Sequence, residues 1–127
     1  MTIVDRHTRC FLSWRVVWER TAEVAQAMLY ETAAGQYYSD QYSLYLKLHY
    51  GPSPYQALAD KSETYAVEAD NAELRHYLAR LARRSRCFSR SIEALRRHVK
   101  LFVYAWNKRQ LHRRLHPRYP AHLIQFI

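Results

Sequence analysis

Two glycines and two cysteines in 127 residues close off several classes of function at once. Loops that cradle phosphate need a G-x-G-x-x-G or G-x-x-x-x-G-K-[ST] run, and neither occurs. Cys10 and Cys87 make no disulfide framework and supply too few thiolates for a zinc site. There is no G-x-S-x-G elbow, no His–Asp pattern accompanies either cysteine, and His112 and His116 lack the glutamate of an H-E-x-x-H helix. No apolar run approaches the roughly 20 residues of a bilayer span, and no signal-like hydrophobic region follows Met1. The expectation is a reduced, soluble, cytoplasmic protein. Nearly half the residues are hydrophobic (49%) and 14% are aromatic, so a packed core is within reach.

Acid is the other scarcity, and it is local. Residues 1–74 hold six Lys/Arg against ten Asp/Glu, a balance of −4. Residues 75–127 hold fourteen Lys/Arg against Glu93 alone, a balance of +13. Such asymmetry points the second half at a polyanion and leaves the acids in the first half, where a metal can use them.

Along the chain, Ile3-Val4 and Cys10 to Trp18 read as two strands around the polar turn Asp5-Arg6-His7-Thr8-Arg9. Thr21 is a helix cap, Val24, Ala27 and Met28 recur at helical spacing, and Gly35 is the expected stop. Gln36 to Ser39 reads as a short strand, Tyr42 to Leu48 as a short helix, Gly51 to Pro54 as a loop and Tyr55 to Leu58 as another strand. From Thr64 to about Arg84 the pattern is helical, with Val67, Leu74, Leu78 and Leu81 in one stripe. After a break, Ser91 caps a second long helix carrying Ile92, Leu95, Val99, Phe102 and Trp106 at spacings of 3, 4, 3 and 4. The order predicts α/β or α+β layers.

Two acids stand out. Asp40 lies where the strand through Tyr37-Tyr38-Ser39 should end, and carboxylates at the carboxyl ends of strands face the ligand crevice in layered folds. An aspartate there also caps a following helix. Glu68 starts the first long helix and shares a face with Asn71, Ala72 and Arg75, an acid–amide–arginine set suited to a metal and a phosphate. A glutamate in a first helical turn also simply complements the macrodipole. Asp70 and Glu73 point elsewhere and are expected to be solvated, while Lys61 and Ser62, in a surface turn, are within reach of a phosphate. Thirteen of the thirty-nine residues from Arg80 to Arg118 are basic, mostly arginine, whose fork matches phosphate geometry. The interleaved Tyr77, Phe88, Tyr104, Trp106 and Tyr119 suit base stacking, although their helical spacing favours the core.

The block Glu68-Ala69-Asp70-Asn71-Ala72-Glu73-Leu74-Arg75, the basic stretch after it and Phe88-Ser89-Arg90-Ser91 resemble the carboxy-terminal half of bacterial insertion-sequence-one family transposases. There the last catalytic acid sits in a helix reading Glu-Arg-x-Asn-x-x-Leu-Arg, followed by a Phe-Ser-(Lys/Arg)-Ser motif. Ser39-Asp40-x-Tyr42-x-x-Tyr45 is similar to the family's segment bearing the second acid. Ala69 replaces the usual arginine and Gln41 the usual glycine; neither change removes a ligand. The family's Asp-Glu-x-Trp setting for the first acid has no counterpart, and Asp5 sits in what resembles the turn after the second strand, so it is only a secondary choice for that ligand.

The resemblance implies a single domain, 1–127, with a sheet-containing part (1–63) and a basic helical part (64–127). The fold would be a partial ribonuclease-H-like α/β (α+β) arrangement, with a short mixed sheet and two long basic helices, truncated before its first strand. It implies Mg²⁺ or Mn²⁺ as cofactor, Asp40 and Glu68 as catalytic ligands, and transposon-end and target DNA as partners, with a second copy of the chain as a further one. Asn71, Arg75, Arg80, Arg83, Arg84, Arg86, Arg90, Arg96, Arg97 and Lys100 would hold the DNA, close to the bacterial nucleoid. A chain lacking the first acid would be inactive by itself. The competing reading is a non-enzymatic nucleic-acid-binding module that uses only the basic helices.

Overall fold

Alternation of Thr2-Ile3-Val4 with Phe11-Leu12-Ser13-Trp14 suits a half-buried hairpin, and β1 (Thr2–Val4) and β2 (Phe11–Trp14) pair antiparallel. In this computed structural model, which describes residues 1–60, 62–78 and 91–116, the register slips between Ile3 and Val4, a bulge opposite Leu12. The connecting turn is closed by Asp5 N–H to Cys10 O (2.9 Å) and Arg9 N–H to Asp5 O (2.8 Å). Arg9 takes φ 62°, left-handed backbone that costs a side-chain-bearing residue about 1 kcal/mol. β2 stops at Trp14, short of the expected Trp18, because its pairing with β1 ends at Thr2.

Helix α1 (Ala22–Tyr30) begins as expected: Thr21 Oγ1 accepts from Val24 N–H at 3.3 Å. It ends at Tyr30 rather than running to Gly35, because the Thr32 amide and hydroxyl both donate to Leu29 O (3.1 Å each) and tighten the last turn. Ala25 and Met28 face the interior, whereas Ala27 is exposed. Strand β3 (Tyr37–Ser39), the four-residue helix α2 (Ser43–Leu46) and β4 (Tyr55–Ala57) follow, and β3 and β4 pair parallel. Gly51, at φ 63°, makes the loop between them.

Helix α3 (Tyr65–Tyr77) packs on β1, and α4 (Ile92–Leu115) closes the core. Phe11, Leu74, Leu95, Val99 and Val103 are buried together, with Phe102 and Trp106 against them at ring distances of 6.4 and 6.5 Å from Phe11. Ser91 caps α4 through Ala94 N–H (3.3 Å). The expected stripe on α4 holds and gains Val103. The end of the first helical stripe at Leu81 and the Phe-Ser-Arg-Ser segment lie outside the described residues, as do Lys61, Cys87, Pro117 and Pro120.

The molecule is a mixed α+β fold. The expected short mixed sheet resolves into two separate two-stranded sheets that share no strand pair among the described residues. Within those residues α3 is not a basic helix: it carries Arg75 and His76 in its last turn against Glu68, Asp70 and Glu73. No helix among the described residues is long and apolar enough to cross a membrane.

One side chain ties α4 to the hairpin. Asn107 Oδ1 accepts from Phe11 N–H (2.8 Å) and its Nδ2 donates to Phe11 O (2.9 Å), a side-chain amide standing in for a neighbouring strand. Asn107→Ala strands both backbone groups of a buried residue. We expect a loss of about 2 kcal/mol in urea-melt stability with little change in helical circular dichroism. Asn107→Asp retains the acceptor for Phe11 N–H but places a carboxylate against Phe11 O, and should fare no better.

Candidate functional site

A cavity of about 1450 Å³ lies between the two sheets, floored by α1, α3 and α4. β1 and its turn line one wall through Ile3, Val4 and Asp5, and β3 lines another through Tyr37 to Asp40. Glu68, Asn71 and Arg75 enter it from α3. Residues far apart in the chain thus share one hollow, and the face predicted for Glu68, Asn71 and Arg75 is the face that lines it.

Asp40 follows β3 directly and is exposed. Its Oδ1 accepts from Tyr42 N–H at 3.1 Å, so the acid also makes the turn into α2. Behind it Tyr50 stacks on Tyr55 (3.8 Å between centroids, 6°), and Tyr55 Oη meets Ser39 Oγ at 2.6 Å. Burial first, and the hydrogen bond with Tyr55 second, push the Tyr50 phenol far up, so it stays protonated and serves as structure.

Glu68 is exposed in the first turn of α3, a helix whose N-cap Thr64 makes no side-chain cap bond. Asn71 is anchored: its Oδ1 accepts from Thr2 Oγ1 at 2.8 Å, which fixes α3 against β1. Arg75 is exposed and lines the cavity.

Several other acids have partners of their own. Burial raises the Asp5 carboxyl, but bonds from Thr8 Oγ1 (2.6 Å) and the His7 and Thr8 amides outweigh it and hold the group below its ordinary range. Those three donors tie Asp5 into the β1–β2 turn. Glu63 is bound by Arg6, Glu31 by Arg15 and Ser13, and Ser62, expected near a phosphate, donates to Asp60 Oδ1 at 2.7 Å.

Asp70 reverses the expectation of a solvated acid. It is 0% exposed, and Arg9 Nε donates to both its carboxylate oxygens at 3.1 Å while Nη2 closes on Oδ1. Two residues from Glu68, it points to the opposite side of α3, where the β1–β2 turn supplies the arginine. The bound carboxylate and the backbone bond from Trp106 Nε1 to Arg9 O (2.9 Å) make Arg9 a junction of hairpin, α3 and α4.

All eleven acids lie among the described residues, and no three Asp, Glu, His or Cys of those residues could hold a metal together. Asp40 and Glu68 are hard oxygen donors of the kind Mg²⁺ prefers. Two carboxylates do not complete a two-metal site, so the donor set fits in kind and falls short in number.

Among the basic residues, Arg80, Arg83, Arg84, Arg86 and Arg90 lie outside the described residues. Arg96 is bound to Glu93 and donates to Val16 O. Arg97 and Lys100 are exposed on the side of α4 turned from the core. Tyr104 and Lys108 continue that side, with Lys108 Nζ 5.0 Å from the Tyr104 ring centre. Beyond Asn107 no described residue of α4 is buried, although Arg109, Arg113 and Arg114 are all there.

No curated protein and no solved structure matches the chain. The IS1 transposase family model matches it over residues 3–110, which takes in both sheets, both candidate carboxylates and most of α4. On that match, the chain belongs to the IS1 transposase family.

Proposed function

We propose that the chain serves DNA transposition as the transposase of an insertion element, with Asp40 and Glu68 as two of its catalytic carboxylates and α4 as an arm that holds DNA. The observation that carries this reading is the shared cavity. Asp40 and Glu68 are 28 residues apart in sequence, yet both line it beside Asn71 and Arg75. Two acids and an arginine sharing one hollow suit the phosphodiester chemistry that membership of a transposase family suggests.

Mg²⁺ or Mn²⁺, when bound, would stabilise charge on the attacked phosphate and on the attacking and leaving oxygens. Asp40 and Glu68 would hold it, and Arg75 would neutralise the adjacent strand. A third oxygen ligand has to come from outside these residues for two cations to be held, so the chain as it stands should handle DNA without cutting it. The family's ribonuclease-H-like arrangement is part of the same proposal: the antiparallel hairpin, the helix and the parallel pair follow one another in an order that accommodates it.

Calorimetry with Mn²⁺ tests the assignment. Weak binding, with Kd in the millimolar range, is expected for the wild type. Asp40→Ala and Glu68→Ala should each abolish it while leaving DNA affinity equal or slightly higher, since an acid near the phosphates has been removed. Mn²⁺ binding that survives in both variants would sink the pair as ligands. The second reading, a DNA-holding module without chemistry, draws on the missing third acid. It expects no Glu68-dependent metal heat at all.

A further inference from the structure

Four arginines line the cavity, and they are not equivalent. Arg6 is bound to Glu63 and Arg15 to Glu31. Arg20 and Arg75 have no ion-pair partner among the described residues, and both are exposed. Their positive field is felt at one place: the Met1 ammonium is held below its ordinary value first by burial and then by Arg20 and Arg75. Unpaired guanidinium groups in a hollow that also bears two exposed carboxylates call for an anion.

Arg20 has aromatic company. Its guanidinium carbon stands 5.9 Å from the Tyr42 ring centre, and Tyr42 is tied by its amide to Asp40. Two residues before Arg20, Trp18 lines the same cavity and is 71% exposed; Tyr42 is 42% exposed. One exposed aromatic needs no explanation. Two, one sharing the cavity with an unneutralised arginine and the other against that arginine beside a candidate catalytic acid, make a combination that phosphate charge and a flat π-face would both satisfy. By contrast Arg6, 5.6 Å over Tyr38, already has its carboxylate.

We propose that Trp18 and Arg20 of the cavity wall, with Tyr42 against Arg20, form a nucleotide-binding surface, where an unpaired base of a DNA strand stacks on the exposed rings and its phosphate meets Arg20. The inference rests on the reading of the chain as a DNA-handling protein and adds a contact outside the basic helices. The base must be unpaired, because in a duplex both its faces are covered by its neighbours. Such a wall would hold the strand end next to Asp40.

Fluorescence anisotropy on the full chain tests it, with dye-labelled single strands of about 15 nucleotides, one with normal bases and one abasic throughout. Trp18→Ala and Tyr42→Ala should each weaken binding of the normal strand about 5- to 10-fold and change the abasic strand less than about 2-fold. Arg20→Ala should weaken both, and Trp18→Phe should keep the wild-type affinity. Wild-type thermal melts for all variants would establish that the exposed positions leave the fold intact. Equal losses on both strands, or none, would overturn the wall while leaving DNA binding in place. A wild type that binds neither strand at low salt would overturn the DNA reading itself.

Discussion

Taking Arg9 from its pair with Asp70 should cost about 3–5 kcal/mol, enough to lower the melting temperature by on the order of 10 to 20 °C. The asymmetry of burial decides the size. Asp70 is 0% exposed while the Arg9 side chain is 33% exposed, so Arg9→Ala leaves a carboxylate inside the protein without the cation that binds it. Asp70→Ala leaves the guanidinium able to reach water and should be milder. Arg9→Gly separates the ion pair from the backbone: glycine accepts φ 62° without strain, so it should recover about 1 kcal/mol relative to Arg9→Ala. The double variant Arg9→Met, Asp70→Leu removes both charges and should regain part of the loss, since well-packed apolar pairs often replace buried ion pairs at little cost. Urea melts of the four variants and the wild type check the series. Single variants within about 1 kcal/mol of the wild type would mean that the pair is not what fastens the hairpin to α3.

That junction marks where sequence reading stops. The strands, the Thr21 and Ser91 caps and the Leu95–Val99–Phe102–Trp106 stripe were legible because each is a local signal: a period of two or 3.6, or a capping residue before an apolar run. Asp40 and Glu68 stand out by a strand end and a first helical turn, and the helical face of Glu68, Asn71 and Arg75 follows from spacing alone. Asp70 was misjudged because nothing within the α3 sequence announces an arginine 61 residues away. The sign of the error is instructive: an acid two positions from Glu68 must face the other way, and whether that way is water or protein depends on the β1–β2 turn. Asn107 was invisible for the same reason, a polar residue in a basic helix whose partners are backbone atoms of a distant strand. Gly35 attracted the helix end because glycine commonly stops helices, yet Thr32 competes earlier through its own hydroxyl.

The DNA-holding role proposed for α4 makes a prediction of its own. Exchanging Arg97, Lys100, Arg113 and Arg114 for glutamine should weaken duplex binding more than about 100-fold at low salt and reduce the slope of log K against log[salt] by about 3 to 4. All four are exposed: Arg97 and Lys100 on the side turned from Leu95, Val99 and Val103, Arg113 and Arg114 past the last buried residue of the helix, which at 24 residues is about 36 Å long, enough to follow the backbone for about ten base pairs. Stability should change little, since none of the four is in the core. Counterion release makes the slope more informative than a single affinity, because a misfolded variant would lose binding at every salt concentration, whereas lost phosphate contacts converge on the wild type as salt rises. Leu101, Leu111 and Leu115, exposed on the same helix, are left in place so that any apolar contribution persists at high salt. A slope equal to the wild type's would move the phosphate contacts off these four residues. Lys108 and Arg109 of α4 and, inside the cavity and without ion-pair partners among the described residues, Arg20 and Arg75 would then be next to test, the last two by asking whether the chain grips DNA at its carboxylates rather than along its helix.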